Sequence, residues 1–258
     1  MEDAGYQVDV ISDTDFHLGF SDLNAYGAVL LNSHPEYWSF EMVDAMQAYL
    51  AAGGSLLYLG GNGMFERSIF NGDATALTFF DGSPAQDRAA AYLRNVQPAR
   101  PERSILGVAF RFDSSWGGDP STYVACPYQV VTADHSLFAG TGVVNGDLIG
   151  QTGRQGVNGG GASGWEMDTS NAGNHGDDGF EVAASVGNDR GAPPANLQLL
   201  ARGTNSETHA ADMTYYETGN GGFVFSVGSI CFGGSLVQDV SLQTVVKNAL
   251  NKAVANRR

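Results

Sequence analysis

A strand, a helix and a second strand in immediate succession constrain the fold of this chain more than any other feature. Residues 28–31 are a continuous apolar run, the pattern of a strand buried on both faces of a parallel sheet. Ser39 is a candidate helix N-cap, and the helix is predicted to end at residues 53–54, a pair of glycines. Residues 55–59 are a second apolar run. This order predicts a β-α-β unit with parallel strands and a right-handed connection.

Apolar spacing predicts the remaining core elements. In the helix after Ser39, one stripe at three- and four-residue spacing is expected to face the core: Phe40, Val43, Met46, Tyr49 and Leu50. Residues 197–201 are a predicted strand, and residues 213–226 are a predicted hairpin with a glycine-rich turn. The last helix, residues 241–255, has a stripe of its own: Leu242, Val245, Val246, Ala249, Leu250 and Ala253.

These elements predict an α/β fold, a mostly parallel sheet flanked by helices, in a single domain over residues 1–258. Between about residues 70 and 195 the periodicity weakens into short apolar runs among Gly, Asp, Ser and Pro, so we expect loop-rich β insertions there. Residues 8–11 are predicted to form a short strand. Residues 2–5 are typical of a helix end, so we expect an N-terminally truncated fragment whose earlier turns precede Met1.

Charge and composition narrow the classes of partner. With 28 acidic and 13 basic residues, the net charge of −15 disfavours binding to nucleic acid or to an anionic membrane. No run reaches the ~18–20 apolar residues of a membrane helix and no export signal is visible, so we expect a cytoplasmic protein. Cys126 and Cys231 are predicted free thiols, and residues 168–179 a solvated turn without EF-hand spacing. The histidines that stand singly are predicted to lie at the surface: His17, His135, His175 and His209.

The loop between the first apolar run and the helix contains a candidate site. Ligands of open α/β sheets bind at the carboxyl ends of the strands, where His34 and Glu36 are expected to lie. Pro35 favours an extended backbone at His34, so the imidazole and the carboxylate can project in related directions. Such a pair can bind a metal or move a proton. The alternative is structural: Glu36 caps the helix and His34 hydrogen-bonds a neighbour.

Two glycine-rich segments are further candidates. In residues 60–63, glycines surround Asn62, which offers a donor and an acceptor at the end of the second strand. The alternative there is a tight turn with Asn62 in the left-handed region. In residues 159–166, a glycine run precedes Trp165 and Glu166, and a glutamate beside a tryptophan can act as a general acid or base. The alternative is a surface loop in which Trp165 fills a gap.

Taken in order, these segments resemble one known family, the C-terminal domain of N,N-dimethylformamidase large (beta) subunits. The motifs that carry the resemblance span about residues 5–252: His-Pro-Glu-Tyr-Trp-Ser at 34–39, the helix ending in Gly-Gly at 53–54, Tyr-Leu-Gly-Gly-Asn-Gly at 58–63, Gly-Trp-Glu at 164–166 and Gly-Gly-Phe-Val-Phe-Ser-Val-Gly-Ser-Ile at 221–230. The resemblance implies a class I glutamine amidotransferase-like, flavodoxin-like fold. It also implies an iron-dependent hydrolase of the C–N bond of a small neutral amide, and it allows a homo-oligomer or a small partner subunit.

The resemblance implies roles for four residues. Glu36 matches the iron-binding glutamate of the family, and His34 matches the histidine beside that ligand. Asn62 matches an active-site asparagine, and Glu166 matches the glutamate that serves as catalytic acid or base. This set is chemically sensible, because iron polarises a carbonyl or activates water while a glutamate moves the proton.

The family's other iron ligands are not matched in this chain. They are two tyrosines well upstream of the His-Pro-Glu motif, so Tyr6 and Tyr26 are not their counterparts, and a lone glutamate is a weak iron site. One hypothesis is therefore the catalytic C-terminal domain of a formamidase-like hydrolase. The other is a non-catalytic scaffold or ligand-binding domain of the same fold, or a fragment that is inactive without its upstream segment. A cysteine amidotransferase is disfavoured, because Gly61 and Asn62 occupy the expected position of the nucleophile.

Overall fold

The structure, a computed structural model, describes residues 4–19, 22–80, 83, 87, 90–113, 124–153, 160–170, 191–205 and 210–256, with the backbone alone at 111–113. Within these residues the largest element is a seven-stranded sheet with helices packed against it. This arrangement confirms the predicted α/β class.

The described helices are α1 (Asp13–His17), α2 (Phe40–Ala51), α3 (Arg103–Leu106), α4 (Phe232–Leu236) and α5 (Val240–Asn256). Short 3-10 turns lie at Leu23–Ala25 and Ser136–Phe138. The described strands are β1 (Ala28–Ser33), β2 (Tyr37–Trp38), β3 (Ser55–Gly60), β4 (Glu66–Arg67), β5 (Ile69–Phe70), β6 (Leu77–Thr78), β7 (Ala109–Asp113), β8 (Tyr128–Val130), β9 (Leu148–Ile149), β10 (Glu166–Thr169), β11 (Gln198–Gly203), β12 (Asp212–Glu217) and β13 (Phe223–Ser226).

The seven-stranded sheet is mixed. Its order is β1-β3-β13-β12-β11-β8-β9, with β1, β3 and β13 parallel and the remaining described neighbours antiparallel. The β1-α2-β3 unit confirms the predicted β-α-β succession. A short glycine-rich turn joins β12 to β13, and a direct hairpin connection produces antiparallel strands. The expectation of a mostly parallel sheet therefore holds for β1, β3 and β13 and not for the rest of the sheet.

Helix α2 begins and ends where the sequence predicts. The Ser39 hydroxyl accepts a hydrogen bond from the backbone N–H of Met42 at 3.2 Å, so Ser39 caps the first turn. The helix ends before Gly53, whose φ of 90° lies in the left-handed region that glycine adopts at little cost. The predicted apolar stripe of α2 is buried apart from Phe40, which is half-buried.

The two helical stripes cover opposite faces of the sheet. Side chains of β3 alternate between them: Leu57 and Leu59 share a buried cluster with the stripe of α5, whereas Leu56 and Tyr58 share one with the stripe of α2. All six apolar residues predicted for the α5 stripe are buried. Strand β3 is buried along its whole length, so it forms the centre of the core.

The buried stripe of α2 leads to a stability prediction. Leu50 is 6 % exposed and packs in the same cluster as Leu56. We expect Leu50→Ala to lower the free energy of unfolding by about 2 to 3 kcal/mol, because truncation removes buried methyl groups and leaves a cavity. Urea denaturation measures the change. Val240→Ala is the control, since Val240 is 74 % exposed and should cost at most about 0.5 kcal/mol. A comparable small loss for Leu50→Ala would contradict its placement in the core.

Outside the core, the predicted strand at residues 8–11 is wrong, whereas the prediction of two free thiols is confirmed. Residues 8–11 are not a strand: Val8 is 43 % exposed, Val10 is 95 % exposed, and of the apolar residues in the segment Ile11 alone packs against the core. Cys126 and Cys231 are free thiols, as predicted. In the predicted insertions the described strands are short, and some of them form two-stranded sheets. The single-domain assignment stays a prediction. Within the described part of the chain, no helix is long and apolar enough to cross a membrane.

Two of the single histidines are less exposed than the sequence predicts. The side chain of His17 is 14 % exposed, because its ring stacks on Phe70 and its Nδ1 atom lies 2.9 Å from the hydroxyl of Ser39, the N-cap of α2. His135 is half-buried beside the ring of Tyr215. The predictions for His175 and His209 concern residues outside those described. The same holds for most of the predicted solvated turn.

Candidate functional site

The candidate site forms at the carboxyl ends of the adjacent parallel strands β1 and β3. The loop after β1 and the glycine turn after β3, defined as residues 60–65, are joined by backbone hydrogen bonds. Met64 N–H donates to the Pro35 carbonyl at 2.9 Å, and Phe65 N–H donates to the Glu36 carbonyl at 3.0 Å. The two strand ends are therefore fixed relative to each other, as the position of a site at a sheet edge requires.

Strand β10 supplies the third side of the site. Glu166 begins this strand, which pairs with β7 in a separate two-stranded sheet. The backbone of β10 approaches the glycine turn so closely that a Cβ atom on Gly61 would lie 2.2 Å from the Glu166 carbonyl oxygen. Trp165 has a φ of 64° and is 38 % exposed, which is compatible with the alternative of a surface loop in which it fills a gap.

His34 lies between two carboxylates that come from distant parts of the chain. Its Nε2 atom is 3.0 Å from Oε2 of Glu36 and 2.7 Å from Oε2 of Glu166. The carboxylates are 3 % and 12 % exposed, whereas the imidazole is 38 % exposed. The cluster therefore has two shielded acidic groups and one basic group that solvent can reach. The helix-cap alternative for Glu36 is not favoured, because the hydroxyl of Ser39 caps α2.

The two carboxylates control the charge of His34. Burial alone would lower the pKa of His34, but hydrogen bonds and charge interactions with Glu166 and Glu36 outweigh burial and raise the pKa to about 10. The imidazole is therefore protonated at neutral pH. The positive charge of the imidazole is therefore placed where both carboxylates can interact with it.

Asn62 lies in the glycine turn, directly after Gly61, the residue that approaches the backbone of Glu166. Its φ of 53° is left-handed, as the tight-turn interpretation predicts, and the residue is 2 % exposed. Its backbone N–H donates to Oδ1 of Asp168 at 2.9 Å. The side-chain Oδ1 of Asn62 is buried and has no hydrogen-bond partner among the described residues. A buried acceptor of this kind needs a donor, which a ligand or a water molecule can supply.

Comparison with known families identifies one family over most of the chain. The family described as N,N-dimethylformamidase beta subunit-like, C-terminal matches residues 1–245. The chain belongs to this family. Its His-Pro-Glu loop, its glycine turn and its Gly-Trp-Glu segment all lie within the matched residues, so the resemblance on which the sequence analysis rests is confirmed.

Two curated relatives of this dimethylformamidase-like domain are similar over nearly its whole length. They are N,N-dimethylformamidase beta subunits of Alcaligenes sp, 29 % identical over 97 % of this chain, and of Paracoccus aminophilus, 28 % identical over 96 %. The chain spans 35 % of the length of either relative. A solved ThuA-like protein of Bacteroides uniformis matches 95 % of this chain and 75 % of its own, with 11 % identity and a TM-score of 0.47.

The dimethylformamidase-like resemblance implies iron, and the described residues do not form a complete site for it. Among them, no group of three or more His, Cys, Asp or Glu side chains could hold a metal ion. Tyr26 precedes β1 whereas Glu36 follows it, so the two lie at opposite ends of the strand. The Tyr6 hydroxyl donates to Oδ1 of Asn251 in α5 at 2.7 Å. Neither tyrosine is placed to complete a site with Glu36. The role of Glu36 as an iron ligand stays a prediction.

Sequence reasoning missed two residues of this candidate site, Tyr58 and Asp168. Tyr58 is part of an apolar run and is typical of core. Asp168 was expected in a solvated turn, but it is fully buried, and burial raises its pKa to about 7 while hydrogen bonds from Tyr58 and Asn62 oppose that shift. Its position two residues after Glu166 is a signal that could have found it, because residues i and i+2 of a regular strand share a face.

Proposed function

We propose that this chain forms the amide-hydrolysing domain of a formamidase-like enzyme, on a glutamine amidotransferase-like fold, and acts on the C–N bond of a small neutral amide. The observation that carries the proposal is the His34 imidazole between Glu36 and Glu166 at the carboxyl ends of β1 and β3. The names of the two relatives, both N,N-dimethylformamidase beta subunits, support a formamide as the substrate.

Glu166 is the proposed proton carrier. The oxygen of a water molecule attacks the carbonyl carbon, and Glu166 takes the proton that the water loses. Glu166 then delivers this proton to the nitrogen as the C–N bond breaks, which leaves a carboxylic acid and a free amine. For a formamide the acid is formate.

His34 and Asn62 are proposed to support this proton transfer. The imidazolium of His34 keeps Glu166 ionised, because a neighbouring positive charge favours the carboxylate form. The side-chain amide of Asn62 is proposed to donate to the carbonyl oxygen while negative charge develops on it. The imidazole of His34 is 38 % exposed, so we propose that the substrate approaches the shielded carboxylates from the side of this ring.

Iron enters the proposal through Glu36, which matches the iron-binding glutamate of the family. Its carboxylate is buried and is adjacent to the proposed proton carrier through His34. Because the described residues do not complete a metal site, we propose that further ligands come from outside the described residues, whether in this chain, upstream of it or in a partner subunit. The relatives are named as beta subunits, which supports an assembly with another chain.

The direct test is turnover of N,N-dimethylformamide by the purified protein together with any subunit that copurifies with it. We expect release of dimethylamine and formate, and elemental analysis is expected to find iron. Glu36→Ala should lose both the iron and the turnover. Glu41→Ala is the matched control, because Glu41 lies five residues along the chain, is 62 % exposed and contacts His17 outside the site. The control should keep iron and turnover.

Three outcomes decide the proposal. Turnover that depends on Glu36 and not on Glu41 supports it. A folded wild-type protein that hydrolyses none of a panel of simple amides contradicts it and leaves a non-catalytic ligand-binding domain of the same fold. Iron that Glu36→Ala retains contradicts the assignment of Glu36 as a ligand.

A further inference from the structure

A buried network of hydrogen bonds connects the glycine turn to the strand that carries Glu166. The Tyr58 hydroxyl donates to Oδ2 of Asp168 at 2.6 Å and accepts from the backbone N–H of Gly63 at 2.7 Å. Oδ1 of Asp168 accepts from the backbone N–H of Asn62 at 2.9 Å. Two consecutive amides of the turn are therefore held by two side chains, one from β3 and one from β10.

The network is shielded from solvent. Tyr58 and Asp168 are fully buried, and Asn62 is 2 % exposed. Water does not compete for the donors in such surroundings, and the hydrogen bonds to the ionised form of Asp168 are stronger than those between neutral groups. The turn is thus anchored more firmly than a surface turn closed by its own backbone.

The backbone of the turn needs such an anchor. Asn62 and Met64 both have a φ of 53°, a left-handed conformation that is unfavourable for residues other than glycine. A Cβ atom on Gly63 would lie 2.7 Å from the ring of Tyr58, so only glycine lets the Tyr58 hydroxyl reach this amide. Strained residues persist where surrounding contacts hold them. Here Asp168 and Tyr58 hold the amides of Asn62 and Gly63, and the Pro35 carbonyl holds the amide of Met64.

The anchored backbone determines where the side chain of Asn62 lies. Its Oδ1 atom is buried and has no partner among the described residues, so no side-chain hydrogen bond to that oxygen fixes it. The backbone at Asn62 is instead held by Asp168, two residues along β10 from Glu166. Strand β10 therefore presents Glu166 to His34 and at the same time holds the residue after Gly61 in place.

We propose that Tyr58 and Asp168 are positioning residues, which hold the backbone of Asn62 and Gly63 so that the Asn62 side chain meets the substrate beside Glu166. The part that concerns substrate rests on the proposed function, whereas the part that concerns the backbone does not. Neither residue contacts the reacting atoms in this assignment.

Hydrogen exchange of the full chain tests the backbone part without any substrate. In Tyr58→Phe, the amides of Asn62 and Gly63 are expected to exchange at least about tenfold faster than in the wild type, because Gly63 loses its acceptor and Asp168 loses a donor. Asp168→Asn replaces one of the two acceptor oxygens with an NH2 group, so this side chain can no longer accept from both the Tyr58 hydroxyl and the Asn62 amide, and it serves as a second variant with the same local expectation. Tyr216→Phe is the matched control, since it removes a buried hydroxyl that donates to the Ile105 carbonyl.

Kinetics test the substrate part. Against N,N-dimethylformamide, Tyr58→Phe is expected to lower kcat about tenfold or more with little change in KM, whereas Tyr216→Phe leaves both near wild type. Fast exchange confined to the turn supports positioning even if the wild type shows no turnover, a result that would remove only the proposed function. Exchange that rises equally throughout the sheet, or a kcat for Tyr58→Phe equal to that of Tyr216→Phe, overturns the proposal.

Discussion

Replacing Glu166 with glutamine is expected to lower kcat for hydrolysis of a small formamide by about 10² to 10⁴-fold, with little change in KM. Glutamine has the shape of glutamate but cannot accept a proton from water or deliver one to the leaving nitrogen. The loss therefore falls on the transition state rather than on substrate binding. Steady-state kinetics with amine release as the readout measure both constants.

Glu217→Gln is the matched control for this experiment. Glu217 ends β12, is 61 % exposed and pairs with Lys252, away from His34. Its kcat should stay within about twofold of the wild type, because it touches none of the proposed reacting groups. A Glu166→Gln enzyme that keeps more than about a tenth of wild-type kcat would contradict the assignment of Glu166 as proton carrier.

Gly61→Ala is expected to lower the free energy of unfolding by at least about 4 kcal/mol, the largest stability effect we predict. The added Cβ atom would lie 2.2 Å from the Glu166 carbonyl oxygen and 2.9 Å from the backbone nitrogen of Ile230. Both are backbone atoms, so no change of side-chain rotamer relieves the overlap. Either β10 or the glycine turn must move, and either movement displaces Glu166 from His34.

Chemical denaturation checks this prediction, with Gly72→Ala as the control. A Cβ atom on Gly72 would meet nothing within 4 Å, so this variant should change the free energy of unfolding by less than about 1 kcal/mol. If Gly61→Ala yields no folded protein while Gly72→Ala folds, the prediction is supported. A Gly61→Ala variant as stable as Gly72→Ala would show that the turn and β10 do not approach each other as closely as the structure places them.

The parts of the fold that the sequence predicts correctly are those whose signals lie within a few residues. Ser39 caps the helix that it precedes, and the apolar spacing of α2 and α5 identifies the faces that are buried. Capping and periodicity act inside one element, so they survive without knowledge of its neighbours. The antiparallel hairpin of β12 and β13 is predicted correctly from its glycine-rich turn, whereas the pairing of β8 with β11 and of β11 with β12 is not predicted, because it depends on contacts far apart in sequence.

The candidate site divides along the same line. His34 and Asn62 are predictable because each follows an apolar run, and the carboxyl ends of parallel strands meet at one edge. Glu166 is predicted by its resemblance and by its neighbour Trp165, but its contact with His34 is visible only in the folded chain. Asp168 is misjudged in the sequence, since an Asp before an Asn- and Gly-rich stretch is typical of a solvated turn.

The sequence by itself determined the α/β class, the β1-α2-β3 unit, the buried faces of the helices and the family, because these depend on local periodicity and on motifs in order. Only the tertiary structure decided that β10 lies against the glycine turn. That placement brings the carboxylate of Glu166 to His34, which Glu36 already contacts. It also buries Asp168, which accepts a hydrogen bond from the backbone N–H of Asn62. The physical reason is that charge interactions, burial and close backbone contacts arise between segments far apart in sequence, so no single residue reveals them.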